Sequence, residues 1–467
     1  MPQAAMIRRF DQRTLLWLVL VTVAALVPAG ATPSARSAPG PRGSSTSDSA
    51  YWYYCPAGLV QTGTADSLAN GRNCSFWLTK SFPLGGDAAP ALNSTAVPGL
   101  DVLPVWRRTR GADVTVAVVD TGVDGTSTDL APNLLPGRNF YDGTGDTSDA
   151  AGHGTVIASV IAAPAGNGGY VGIAPEARLL PVKVLGGASG QEWSGQAVVH
   201  GIEYAAASGA RVINLSLGAL NTTIPGMARA LADAQRAGAL VVIAAGNDGV
   251  DLDDPRYTES PDGYGLPNTL TVADFTTRND LAADSNYGAR HVQIASLGAA
   301  LWGDYPHNPT GGYLGGSSAA AATVSGVAAL LFGAEPTATA AQVRRAIIVG
   351  ANTSVAGLQG KVEANGLLSA SGALAALEHP DTTPPSAFDS TGPAATFRLR
   401  SPGLVTFSWQ PAHDAELEGY SVTIDGRTRT LAPGMTRIRF VLRRGPHRWS
   451  VSAYDLSGNR TAATPST

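Results

Sequence analysis

The sequence predicts an α/β protein built on a doubly wound parallel sheet, with an all-β sandwich at its C-terminal end. Three observations carry this. From Asp113 onward, short apolar runs alternate with segments of helical spacing. Beyond Pro380 the apolar residues recur with period two instead. Hydrophobic residues make up 44% of the 467 and charged residues 15%, which fills large cores and excludes a disordered chain. At roughly 100–200 residues per domain, the length predicts two or three domains.

The chain opens on an export signal. Arg8, Arg9 and Arg13 precede an apolar run over residues 15–27, and Ala29-Gly30-Ala31 is a small-residue cleavage pattern. Residues 1–31 are therefore expected to be a signal peptide, and the protein to be secreted. The run falls short of the about 20 apolar residues of a spanning helix; an uncleaved anchor is the alternative. Residues 32–50 are rich in Pro, Ser and Gly and read as a flexible leader. Residues 51–100 form an N-terminal extension with an aromatic cluster (Tyr51, Trp52, Tyr53, Tyr54) and both cysteines, Cys55 and Cys74. An isolated pair in an exported protein is expected to be a disulfide, with two free thiols as the alternative. Two cysteines are too few for a structural zinc site.

Residues 101–380 carry the alternating pattern. The run 114–119 (VTVAVV) reads as a strand buried on both faces. Residues 153–163 have helical character, and 178–185 read as a strand. Residues 195–208 place Val198, Ile202, Ala205 and Ala206 at helical spacing. A strand is expected over 211–217, a helix over 225–237 with Pro225 in its first turn, and a strand over 240–245. After Ser317 comes a long helix of small residues, to about Phe332. Such βαβ repetition implies a parallel sheet with right-handed crossovers.

Residues 381–393 (DTTPPSAFDSTGP) read as a linker, and 394–467 as the sandwich. Val405, Phe407 and Trp409 alternate with polar residues, as do Tyr420, Val422 and Ile424, and two further series follow. Asp425-Gly426 is a strong hairpin signal. The pattern resembles a fibronectin type III-like module, including its DLSGN turn at 455–459.

The chemistry rests on four residues. Asp120 directly follows the first strand; His153 and Ser318 each stand at the start of a helix; Asn247 follows the strand 240–245. In open parallel sheets, sites form beyond the carboxyl ends of the strands. A serine hydroxyl is a weak nucleophile at neutral pH. It needs an imidazole to take its proton, and a buried carboxylate to orient that imidazole. Ser318 at a helix N-terminus meets a positive partial charge, which favours an oxyanion nearby, and the Asn247 amide is a second donor.

Along the chain the order is Asp, His, Ser, the order of subtilisin. The segments DTGVD, HGT-x-IAS, AAGN and G-x-S-x-A-x-A-x-VSG resemble the Asp, His, oxyanion-Asn and Ser blocks of the subtilase family. NLSLG (214–218) is similar to its substrate-binding strand, which implies that Ser216, Leu217 and Gly218 contact substrate. The resemblance spans about residues 105–376 and implies a serine endopeptidase with Asp120, His153 and Ser318 as triad and Asn247 in the oxyanion hole. It implies protein or peptide substrates and no organic cofactor. A catalytically inactive binding or adhesion protein on the same scaffold is the alternative. Where the family serine block reads Gly-Thr-Ser-Met-Ala-x-Pro, this chain has Ser317, Ala319 and Ala322 in place of Thr, Met and Pro.

The resemblance also makes Asp129 a candidate calcium ligand, with the loop 164–170 offering Asn167; a plain surface turn is the other reading of Asp129. The run 248–262 holds six acids and one Arg, and would favour basic side chains if it bordered the specificity pocket. No HExxH motif occurs, which excludes that metallopeptidase pattern. Between Thr391 and Arg460 there are ten Arg, no Lys and five acids, a formal charge of +5 in a chain of net charge −4. The whole-chain charge makes no case for nucleic acid. The local excess allows contact between the C-terminal domain and an anionic cell-envelope polymer.

Overall fold

The structure is a computed structural model. It describes residues 51–55 and 58–62, then 100–465 apart from 166–169, 188, 191, 258, 262–265, 277–279, 299–300, 307 and 415. The expected signal peptide, the leader and Cys74 lie outside the described residues, and with them the Cys55–Cys74 disulfide. Strands β1 (Tyr51–Cys55) and β2 (Gly58–Thr62) pair as an antiparallel hairpin.

The parallel sheet is assembled from β3 (Thr115–Asp120), β4 (Arg138–Asn139), β5 (Arg178–Lys183), β6 (Val212–Leu215), β7 (Leu240–Ala244), β8 (Thr269–Phe275) and β9 (Ile294–Leu297). Its order is β9-β8-β7-β6-β3-β5-β4, and every neighbouring pair is parallel. The near-continuous Val, Ile and Leu of β3, β6 and β7 reflect burial on both faces. From β3 the chain passes to the edge strand β4, returns to β5, and then crosses to β6 on the other side of β3 and winds outward to β9, so the strand order reverses beside β3. A crevice is expected beyond the carboxyl end at such a reversal, and Asp120 is the last residue of β3.

Helices α1 (His153–Ala162), α2 (Gly195–Ala207), α3 (Met227–Arg236), α4 (Ser317–Ala334) and α5 (Ala340–Val349) cover the sheet. Apart from the half-exposed Gly333, α4 is buried along its length, and it is apolar because it is the central core helix. Its small residues permit close packing: a Cβ on Gly326 would stand 2.6 Å from Ile173 Cβ. Helix α3 starts later than expected. Gly226, in the left-handed region at φ 89°, is its N-cap, so Pro225 precedes the helix instead of opening it.

Contacts divide the chain between Leu374 and Ala375. The second unit contains β10 (Thr396–Leu399), β11 (Gly403–Ser408), β12 (Leu417–Ile424), β13 (Arg427–Leu431), β14 (Arg437–Leu442), β15 (Gly445–Asp455) and β16 (Arg460–Ala462). One antiparallel sheet runs β10-β15-β12-β13, with β16 also on β15; β11 and β14 form a second ribbon. The two share a core around Phe407, Trp409, Tyr420, Val422, Trp449 and Val451. Residues 381–393, expected as a linker, are part of this unit. Phe388 is buried against Tyr420 with ring centroids 5.7 Å apart, and Ser390 bridges to Trp409. An aromatic side chain in that stretch has more to gain from the core than from solvent.

Candidate active site

Asp120 is fully buried at the end of β3. Its Oδ1 accepts the Thr121 backbone N–H at 2.7 Å and lies 2.7 Å from His153 Nδ1. The approach is possible because glycine stands next to the histidine: a Cβ on Gly154 would fall 2.2 Å from Gly122 O. Burial pulls the His153 imidazole toward its neutral form. The charge of Asp120 and its hydrogen bond, with Asp149 beyond, outweigh this and hold the pKa above the ordinary 6.5.

Asp149 builds the turn that leads into α1. Its Oδ1 accepts the Thr121 hydroxyl at 2.8 Å and the backbone N–H groups of Ala151 and Gly152. Its Oδ2 accepts the Thr155 N–H at 2.9 Å and the Thr155 hydroxyl at 2.7 Å. Thr121 Oγ1 in turn accepts the Gly154 N–H at 2.9 Å. One buried carboxylate thus ties the Asp120 turn to the His153 helix. The sequence reading passed over it; an acid four residues before the histidine was the available signal.

Ser318 sits in the first turn of α4, buried. Its hydroxyl donates to the Ser216 carbonyl at 3.1 Å, and the Ser216 hydroxyl donates to the Ser318 carbonyl at 2.9 Å. A buried relay reaches deeper, from the Ser325 hydroxyl to Asn214 Oδ1 and from Asn214 Nδ2 to Ser216 Oγ, each at 2.9 Å. Asn214 and Ser325, within the NLSLG and VSG segments, support the serine, a role that those segments do not announce by themselves. Leu217 and Gly218 continue from Ser216, buried, past the end of β6.

Asn247 faces the same helix start. Its Oδ1 accepts the Ser317 N–H at 2.9 Å, and the Ser317 hydroxyl accepts the Gly246 N–H at 3.0 Å. Ser317, a departure from the family block, therefore keeps the hydroxyl acceptor that Thr would supply. Three buried polar atoms here lack a partner: His153 Nε2, Asn247 Nδ2 and Asp120 Oδ2. Buried polar groups are normally satisfied, and an unpaired imidazole nitrogen and an unpaired amide donor mark where substrate atoms belong.

A profile of the subtilase family (peptidase S8) matches residues 111–373. The chain belongs to the subtilase family. It is 36% identical over 235 residues to the major intracellular serine protease of Bacillus subtilis (strain 168), covering 49% of this chain and 71% of that one. It is 37% identical over 243 residues to thermitase of Thermoactinomyces vulgaris, covering 52% and 82%. Among solved structures it is similar to a protease of Pseudoalteromonas arctica PAMC 21717, with TM-score 0.53, 27% identity, and coverage of 60% of this chain and 94% of that one. This subtilase is accordingly a subtilisin-like serine protease, and protein is its substrate class.

Two other expectations meet different surroundings. Asp129 is buried, and its Oδ2 accepts the Tyr170 N–H at 2.8 Å. Burial also pushes up the neighbouring Asp304 carboxyl, which accepts the Ser127 hydroxyl at 2.5 Å and shares a hydrogen bond with Asp129. Asn167 lies outside the described residues. In the acidic run, Asp254 pairs with Arg256 at 2.5 Å and Asp253 with Arg290 at 3.4 Å and His291 at 2.9 Å. Two of its six acids thus have basic partners of their own.

Proposed function

We propose that this subtilase is a secreted endopeptidase that cleaves internal peptide bonds through an acyl-enzyme on Ser318. The observation that carries the assignment is the buried Asp120–His153 bond at 2.7 Å, with His153 Nε2 unpaired and Asn247, whose Nδ2 is also unpaired, bound to the Ser317 N–H at the start of the Ser318 helix. His153 is the general base, and Asp120 holds its Nδ1 as the proton-bearing nitrogen. The Ser318 hydroxyl turns from the Ser216 carbonyl to Nε2, gives up its proton and attacks the scissile carbonyl carbon. The oxyanion is met by the Ser318 N–H and Asn247 Nδ2. As the intermediate collapses the C–N bond breaks, and His153 returns the proton to the leaving amine. Water then repeats the sequence on the ester, releasing the acid and Ser318.

The residues named handle every proton and charge in this cycle, and no organic cofactor is required. A peptide strand running along Ser216, Leu217 and Gly218 would present its carbonyl to Ser318. Export rests on the n-region, apolar run and cleavage pattern of residues 1–31, and the exported form is proposed to carry a Cys55–Cys74 disulfide. The C-terminal unit is proposed to be a fibronectin type III-like module that meets an anionic component of the cell envelope.

A serine-directed phosphonate separates this reading from an inactive binding protein. The intact chain should be labelled, Ser318→Ala should not, and turnover should fall about 10⁶-fold. Absence of labelling in the intact, folded chain would favour the binding protein. Activity should rise with pH as His153 loses its proton, with a midpoint above the ordinary 6.5.

A further inference from the structure

The strand register of the C-terminal unit gathers six of its ten arginines at one end. Leu399 pairs with Gly445, Gly403 with Leu442, and Ile424 with both Arg427 and Trp449. The turns at 400–402, 425–426 and 443–444 therefore share one end. That end carries Arg398, Arg400, Arg427, Arg443, Arg444 and Arg448, all exposed. Among the described residues, none of these six arginines forms an ion pair. Asp425 is the one carboxylate in those turns. It is engaged by His447 Nδ1 at 2.7 Å and by the Arg448 backbone N–H at 2.9 Å.

The acids gather at the other end. Leu417 pairs with Asp455, and the carboxylates of Asp381, Asp414 and Asp455 lie within 4.8 Å of one another. The eleven residues of β15 separate the two ends by about 35 Å. The unit is thus an oriented dipole with a basic tip.

A second observation concerns shape and hydropathy. Leu404 and Val441 are the most exposed large hydrophobic side chains among the described residues, at 61% and 78%. They are cross-strand partners on β11 and β14, one step from the basic turns. Strands facing solvent normally carry polar residues at such positions, and flanking positions here do: Thr406 stands opposite Arg439. A soluble polyanion has no use for a protruding Leu–Val pair. A bilayer does, because apolar side chains enter the acyl boundary while guanidinium groups engage lipid phosphates.

We propose that the arginine-rich tip of the C-terminal unit, with Leu404 and Val441 at its margin, docks on a bilayer containing anionic phospholipid. This deepens the envelope contact proposed above, and it rests on the exported reading only for where the lipid would be met. The purified full chain tests it directly. It should co-sediment with phosphatidylglycerol-containing phosphatidylcholine vesicles and not with pure phosphatidylcholine, and salt should release it. Arg443→Glu with Arg444→Glu should weaken binding at least roughly tenfold. Leu404→Ser with Val441→Ser should weaken it severalfold, with hydrolysis of a soluble peptide unchanged in both. Unchanged circular dichroism confirms that the variants fold. Equal binding to both vesicle types, or binding indifferent to the arginine pair, overturns the proposal. If the Leu404/Val441 variant binds vesicles as tightly as the parent chain, and polyphosphate competes fully, the tip is a soluble-polyanion site and the bilayer is wrong. A chain retained in the cytoplasm would refute the export reading and leave these outcomes intact.

Discussion

Asp274 shows how a single residue sets a pH dependence that the catalytic groups do not. It is buried near the end of β8, and its Oδ1 has no hydrogen-bond partner. Burial, reinforced by the charge of Asp284, raises its pKa from 3.8 to about 8; the amides of Gly298, Gly316 and Phe275 pull the other way. The folded state therefore holds a proton that the unfolded state has lost across that window. Stability must fall as pH rises from 3.8 toward about 8, and level off above it. Asp274→Asn removes the titration while keeping the shape. Its melting temperature should match the parent at the acid edge of the window and exceed it increasingly toward the alkaline edge. The gain there should be on the order of 2–4 kcal/mol. A constant offset across the window would mean that the carboxyl does not titrate there. No sequence pattern announced this residue, because an Asp in an apolar strand differs from a turn Asp only through what packs around it.

At the scale of elements, the two helix starts are held by different means: the Asp149 carboxylate ties down the turn before His153, while Asn247 and the Ser317 hydroxyl seat the start of α4. Gly152 and Gly316, both at φ 87°, are the respective N-caps. The strands β3, β5, β6 and β7 were readable because their apolar runs are unbroken. Strands β4, β8 and β9 are not legible as apolar runs: β4 has two residues, while β8 and β9 mix Thr, Asp and Ser with apolar residues. The serine loop is pinned from below by Gly298, which follows β9. A Cβ there would lie 2.4 Å from Gly316 O and 2.6 Å from Asp274 Oδ1. Gly316 O is backbone, so Gly298→Ala must displace the chain two residues ahead of Ser318. A displacement of about 1 Å at a nucleophile costs about 10²-fold in rate. Gly298→Ala should therefore lose kcat by about that factor with a smaller change in KM; parental kcat would show that the loop is not rigidly seated.

The whole molecule combines two cores that the sequence distinguished by period: 3.6 against near-continuous runs before residue 375, two after it. The family resemblance stopped near the same place, since the matched region ends at residue 373. What the period could not reveal was that residues 381–393 belong to the second core, because Phe388 among prolines and threonines looks like an exposed exception until Tyr420 is seen beside it. Each unit has its own buried cluster, and the catalytic groups all lie in the first. Cooperative unfolding follows the core, so two cores predict two transitions. Calorimetry of the intact chain should resolve them. A chain ending at residue 380 should keep only one, with kcat/KM on a soluble peptide within about twofold of the parent. A single sharp transition in the intact chain, lost together with activity on truncation, would show that the first core is not stable alone.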